Sequence, residues 1–181
     1  MQRVAARTAA LAVFCGLSLL MAGCGSSREY AIPEGVCGVP VGEKELSALL
    51  PDGEKLDVTD TSVVTKSGSN CDMSVDDFPA VSLTVEQVDK FYAPMSKQES
   101  FRFTNRKKMA PLPFDGAGAM GDKNVMISTS CGLPEADHLV VLLIARDRSG
   151  KDGDTHRSDM EAFVVDFVPQ VKTAMGCPGS S

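Results

Sequence analysis

Six cysteines and two histidines hold most of the reactive chemistry open to this chain, and their positions sort them into separate roles. Cys24 closes the run Leu19-Leu20-Met21-Ala22-Gly23-Cys24, and Arg3 and Arg7 precede an uncharged stretch from Thr8 to Gly23. A positive start, an apolar core and small residues before a cysteine form a secretory signal ending in a lipobox. At such a site the thiol takes a diacylglyceryl group through a thioether and the chain is cut just before it. Met21 stands three residues before Cys24, where a lipobox usually carries Leu; its bulk and apolarity are similar. The core from Ala9 to Met21 is shorter than the ~20 residues that span a bilayer, so it reads as a signal rather than a membrane helix. Cleavage to a soluble secreted chain is the competing reading, and the Ala-Gly-Cys ending with Gly25-Ser26-Ser27 as a polar tether argues against it. Two acyl chains hold stably where one holds only marginally. Cys15 lies inside the signal and is discarded with it.

Four cysteines remain besides the anchor: Cys37, Cys71, Cys131 and Cys177. An even count in an exported chain reads as two disulfides. Three connectivities are open; Cys37–Cys71 with Cys131–Cys177 is favoured because each pair brackets one half of the domain. In the chain-entropy account each closed loop contributes roughly 4 kcal/mol. No CxxC or Cys/His cluster is present, so a zinc site is not expected. Asp152-Gly153-Asp154 faintly echoes a calcium loop but lacks the ligand spacing and closing Glu, so it reads as a solvated loop.

Hydrolytic chemistry needs a nucleophile, a base and a group that orients the base. His138 precedes an apolar run and His156 lies near a helix start, and neither sits in a catalytic signature; no GxSxG elbow occurs. Both read as structural or surface residues. Asp76-Asp77 sits at a turn, where Asp is favoured for backbone reasons alone. Neither GxxxxGK[ST] nor GxGxxG occurs, so nucleotide binding draws no support. The basic spot Arg106-Lys107-Lys108 offers a phosphate or an acidic partner a contact, but reads first as a solvated loop or helix end. The expectation is no enzyme, no cofactor and no metal.

Charge narrows the partners. Removing residues 1–23 takes two of 18 basic residues and none of 24 acidic ones, leaving 16 − 24 = −8. Nucleic-acid binding needs clustered cations, so it is not expected, nor is close contact with anionic lipid beyond the anchor. The absence of Trp weakens a sugar-binding reading.

The elements that must position these residues follow from periodicity. Leu46, Leu49 and Leu50 mark a short helix ended by Pro51-Asp52-Gly53. Even spacing of Leu56, Val58, Ser62 and Val64, of Cys71, Met73 and Val75, and of Val81, Leu83 and Val85 predicts three strands of an antiparallel meander. Lys66-Ser67-Gly68-Ser69-Asn70 and Asp76-Asp77-Phe78-Pro79 supply the joints. Periodicity weakens from Asp89 to Asn105, with a short helix expected over Ser96 to Phe103. Pro111-Leu112-Pro113 and Gly116-Ala117-Gly118-Ala119 read as a connector. Val125, Ile127, Thr129 and Cys131 alternate as a further strand. The run Leu139–Ala145 reads as a central strand buried on both faces. The last helix places Met160, Phe163, Val164, Phe167, Val168, Val171 and Met175 on one stripe. Ser158 and Glu161 are its expected capping box, Pro169 an expected kink, and Gly176 its C-terminal cap.

With the lipobox, the segment Cys37-Gly38-Val39-Pro40 and its following Leu-rich helix, the run Leu50-Pro51-Asp52-Gly53-Glu54-Lys55 and the stretch Gly118-Ala119-Met120-Gly121-Asp122, the chain resembles a group of uncharacterised actinobacterial lipoproteins. The resemblance spans most of the mature chain and implies a cell-surface lipoprotein with an antiparallel sheet packed by helices. It carries over no catalytic residue.

The sequence therefore leads to a signal peptide at 1–23, a flexible tether at 24–34 and a single α+β domain at 35–178. In that domain an antiparallel sheet of five to six strands packs against a long C-terminal and a short N-terminal helix, stapled by two disulfides. The expected role is a binding or accessory module, lipid-anchored through Cys24 on the outer face of the cell membrane. Its expected partner is an envelope protein or a small hydrophobic ligand. A carrier with a cavity between sheet and helices is the alternative, and a hydrolase built on His138 or His156 the more remote one.

Overall fold

The structure, a computed structural model, describes residues 28–60, 69–134 and 136–178. The signal, Cys24 and the predicted strand positions Ser62 and Val64 lie outside the described residues. In chain order the elements are β1 (Gly35–Val36), β2 (Val39–Pro40), α1 (Glu43–Leu49), β3 (Leu56–Asp60), β4 (Ser69–Val75), β5 (Phe78–Val88), β6 (Lys107–Lys108), β7 (Ala117–Met120), β8 (Asn124–Leu133), β9 (Ala136–Ala145) and α2 (Gly153–Met175). The class is α+β. The main sheet is antiparallel with seven strands in the order β3-β4-β5-β9-β8-β7-β6, one more than the upper end of the expected range. Ala117–Met120, in the stretch expected as a connector, pairs with β8, and Lys107–Lys108, expected as a solvated loop or helix end, closes the edge. At Gly118 a Cβ would sit 2.5 Å from Met109 Sδ and 2.8 Å from Ile127 Cδ1, so those two side-chain ends would have to shift to admit it.

Strand alternation sends one set of side chains to each face. Met73, Leu83, Val141, Leu143, Val125 and Ile127 all point to the helical side, because cross-strand partners share a face and Leu83 opposes Leu143, which opposes Val125. On them lies α2, whose Met160, Phe163, Val164, Phe167, Val168 and Val171 are buried as the stripe predicts, with Met175 only partly covered. The rings of Phe163 and Phe167 stack at 5.3 Å. Burial of this face supplies the main favourable term for the fold. α1 adds Leu46, Leu49 and, just past its end, Leu50 to the same core.

Both disulfides have the favoured connectivity. Cys37–Cys71 ties the β1–β2 hairpin to β4, and Cys131–Cys177 ties the end of α2 to β8. Gly176 takes the left-handed conformation at φ 73°, its amide and that of Cys177 reaching back to the carbonyl of Lys172. Asp76 and Asp77 have φ of 49° and 63°, the backbone of a tight two-residue hairpin between β4 and β5.

Three expectations need correction. The cap of α2 is Asp152, whose side chain accepts from the amides of Asp154 and Thr155, so the helix begins five residues before Ser158. The Ser158 hydroxyl instead donates to the Asp154 carbonyl. β9 is central but not buried on both faces: Ile144 is 38% exposed. The helix expected over Ser96 to Phe103 shrinks to a single 3-10 turn, Ser100–Arg102.

The domain also begins earlier than residue 35. The Arg28 guanidinium donates to the carbonyls of Ser47 and Leu50 at 3.1 and 2.6 Å, the Glu29 amide to the Gly53 carbonyl at 2.9 Å, and the Tyr30 hydroxyl to the Pro51 carbonyl. Burial pushes the Tyr30 phenol above its ordinary value, which keeps it a donor. What reads as the second half of a flexible tether is fastened to the end of α1.

Candidate functional site

Among the described residues the second face of the sheet carries no α-helix. Its side chains are Asn70, Asp72 and Ser74 on β4, Ser82, Thr84 and Glu86 on β5, His138, Val140, Leu142 and Ile144 on β9, and Asn124, Met126, Ser128 and Ser130 on β8. Met126 and Ser128 are nonetheless buried, as is Val140. The long connection from β5 to β6, residues 89–106, must travel from the third strand to the far edge and crosses this face on the way. It is fastened at both ends. Phe91 meets the His138 ring edge-on at 5.7 Å. At the other end the Asn124 side-chain amide donates to the Arg102 carbonyl at 2.6 Å, and the Asp122 amide to the Thr104 carbonyl at 3.0 Å. Arg106 folds the segment on itself by donating to the carbonyls of Pro94 and Ser96 at 3.2 and 2.7 Å.

The composition of this crossing segment differs from that of the rest of the chain. Residues 89–108 hold six cations (Lys90, Lys97, Arg102, Arg106, Lys107 and Lys108) against two carboxylates, Asp89 and Glu99, a net +4 inside a chain of net −6. One of those carboxylates is turned inward: Glu99 is 7% exposed and takes the Arg102 Nε–H at 2.5 Å. Among the described residues six large apolar side chains are exposed, and four of them, Phe91, Tyr92, Met95 and Phe101, stand on this segment. A fifth, Ile144, lies on the strand face near its end. Cations sit over the rings: Lys90 over Tyr92 at 5.4 Å, Arg102 over Phe101 at 5.0 Å and Arg106 over Phe103 at 5.9 Å. Each such pair places an apolar plate beside a positive charge.

The residues singled out for chemistry have other partners. His156 is buried with its Nε2 3.1 Å from the Ala145 carbonyl, tying α2 to β9. His138 opposes Ser130 across the ladder, but the Ser130 hydroxyl donates to Asp115 at 2.7 Å, and the buried His138 Nδ1 has no hydrogen-bond partner. Among the described residues no hydrogen bond joins the Ser130 hydroxyl to the His138 ring. Asp76 caps the backbone amides of Glu54 and Lys55, and the bond from Lys55 above all holds its carboxyl below the usual carboxylate range. The Thr155 hydroxyl and amide do the same to Asp152. The Asp152-Gly153-Asp154 stretch is thus a helix cap. Within Arg106-Lys107-Lys108, Arg106 has the structural role described above, and Lys107 approaches Asp154 at 3.8 Å.

Space is distributed accordingly. Phe163, Phe167, Leu139 and Leu143, each 1% exposed or less, fill the layer between α2 and the sheet. A depression of about 490 Å³ opens instead at the end of the uncovered face, lined by Arg102, Lys123, Asn124, Ile144 and Arg146. A second of about 230 Å³ shares Arg102, Asn124 and Ile144 and adds Phe101 and Leu142. The signal that could have located this face was present in the sequence. Aromatic and basic residues interleave from Lys90 to Arg106, a pattern hidden by the lack of any helical or strand period. No protein family, no curated protein and no solved structure matches the chain.

Proposed function

We propose that this protein is a membrane-anchored extracytoplasmic lipoprotein acting as a non-enzymatic binding or accessory module, with the crossing segment over the open face as its working surface. The observation that carries the reading is the gathering of exposed apolar side chains on that one surface, five of the six among the described residues. A monomer gains nothing by leaving Phe91, Tyr92, Met95 and Phe101 in water when its core is otherwise closed, and their gathering on one segment supports a contact site there. The lipobox at Cys24 supports the anchor. Two disulfides support an oxidising compartment. No helix among the described residues is long and apolar enough to cross a membrane.

Two measurements test it. Metabolic labelling with a fatty acid marks the wild-type chain and leaves Cys24→Ala unlabelled; equal labelling removes the anchor. A photo-crosslinking residue at Met95, compared in intact envelopes with one at exposed Gln170 on α2, gives adducts at 95 well above those at 170. Equal yields from the two positions refute a working surface on the open face.

A further inference from the structure

We infer that the basic end of the open face is a binding site for a single anionic phospholipid molecule drawn from the bilayer. Its phosphate would be held among Arg102, Lys123 and Arg146, and an acyl chain would lie on Phe101, Leu142 and Ile144. This inference rests on the open face being the working surface and specifies what that surface takes.

The two depressions described above share Arg102, Asn124 and Ile144 and so form one groove with a charged half and an apolar half. Counting the groups that line it and their own partners gives four cations (Arg102, Lys123, Arg146 and Arg157) against two carboxylates (Asp122 and Glu99), a local +2 in a chain of −6. The carboxylates are already engaged: Asp122 accepts from Arg157 and from Asn105, and Glu99 accepts from Arg102. The cations keep capacity. Lys123 has no hydrogen-bond or ion-pair partner for its ammonium among the described residues. Arg146 donates from Nη1 to the Pro79 carbonyl at 3.2 Å and has further donors to offer. Arg102 uses Nε on Glu99 and holds its guanidinium carbon 5.0 Å from the centre of the Phe101 ring. A planar guanidinium pair with a mobile ammonium is the donor set that a phosphate with several acceptor oxygens fits.

Phosphate alone leaves half the groove unexplained. Phe101 is 77% exposed and Ile144 38%, immediately beside the cations. A ligand carrying both a negative head and hydrocarbon covers both halves at once, whereas a free anion leaves the apolar half in water. The bilayer is the nearest source of such a molecule. Residues 28–30 dock on the Pro51–Gly53 loop, and Arg148, two residues beyond Arg146, donates to the Asp52 carbonyl of that loop at 3.0 Å. The chain leading to Cys24 therefore leaves the domain at the same end of the sheet as the groove. Four residues from Arg28 to Cys24 reach at most ~14 Å.

The experiment uses full-chain protein purified from its own membrane in a neutral detergent and examined by native mass spectrometry. Denaturing spectra of the same sample read the covalent lipid on Cys24, so loss of the anchor and loss of the groove appear separately. Dihexanoyl phosphatidylglycerol, dihexanoyl phosphatidylcholine and glycerol 1-phosphate are titrated as probes. The expected result is a single phosphatidylglycerol adduct at least tenfold more populated than the choline lipid at equal concentration. Each cation near a lipid headgroup is worth roughly a fivefold factor, so Lys123→Glu lowers the adduct by at least that. Its side chain makes no bond that folding depends on, and exposed Lys97→Glu, on the crossing segment but outside the groove, leaves the adduct unchanged. Equal adducts for the two lipids, an unchanged adduct in Lys123→Glu, or displacement by glycerol 1-phosphate at matching concentration would each overturn the assignment. The last result would do so because an apolar half that adds nothing means the ligand is a bare anion.

Discussion

Replacing Phe101 by Ala separates what this ring does for the fold from what it does for a ligand. The side chain is 77% exposed and its one specific neighbour is the Arg102 guanidinium at 5.0 Å. An exposed aromatic with a single exposed cation over it adds little to stability, so Phe101→Ala changes the unfolding free energy by no more than about 0.5 kcal/mol. Binding is a different quantity. Full burial of a Phe side chain is worth about 1.5–3 kcal/mol, and 77% of it remains to be buried, which leaves about 1.2–2.3 kcal/mol for an occupant that covers it. That range converts to roughly a 7- to 50-fold loss of affinity. Stability is measured by urea unfolding followed by far-UV circular dichroism, since the chain has no Trp for fluorescence. Affinity is measured from the population of the phosphatidylglycerol adduct. The control is Phe167→Ala, the same residue type on α2 and fully buried against the sheet, where a cost of about 3–5 kcal/mol is expected. If Phe101→Ala destabilises the fold as Phe167→Ala does, the ring is not free for a partner. If both stability and affinity stay unchanged, the apolar half of the groove does no binding.

Two further expectations concern the scaffold. Replacing Cys131 and Cys177 together by Ser opens a loop of 46 residues, and the chain-entropy relation puts the loss at about 4 kcal/mol; a urea midpoint that moves by the equivalent of less than about 1 kcal/mol would mean the end of α2 is held by packing alone. The carboxyls of Asp76 and Asp152 lie below the 3.8 of a free Asp, for the hydrogen-bonding reasons given above. A depressed carboxyl adds stability that is full above the unfolded value and is lost as pH falls through the folded one, so thermal stability is flat with respect to these groups above about pH 4 and declines below 3.8. Asp152→Ser keeps an acceptor at the cap but removes its titration, so its melting profile between pH 5 and 2 is shallower than that of the wild type. Parallel profiles would show that the cap does not contribute to acid sensitivity.

The scaffold was legible where side chains alternate or recur with enough contrast. Cys71, Met73 and Val75 against Asp72 and Ser74 read as a half-buried strand because neighbours of opposite polarity point to opposite faces. The stripe from Met160 to Val171 read as a buried helix face for the corresponding reason at period 3.6. β6 and β7 escaped notice since Lys107-Lys108 is a two-residue edge, and in Ala117-Gly118-Ala119 the side chains are too small to contrast. The start of α2 was placed late because Ser158 and Glu161 have the capping-box spacing while Asp152, six residues earlier, holds the amides. Open exposure of Ile144 was hidden by an unbroken apolar run, which looks alike whether one face or two are covered.

Local chemistry along the chain was sufficient for the α+β class and the apolar side of each strand, because each depends on residues close in sequence; the pairing of the cysteines, 34 and 46 residues apart, was decided by the fold. What required the folded molecule was the route of residues 89–106. Their cations and aromatics have no period, and their meaning depends on β6 being joined to the far edge of the sheet, which draws them across a face that no helix covers. Only that long-range connection sets Arg102 beside Lys123 and Arg146 and Phe101 beside Leu142 and Ile144. A net negative chain thereby presents a positive and partly apolar end, since total charge is a sum over residues while a site depends on where the fold gathers them.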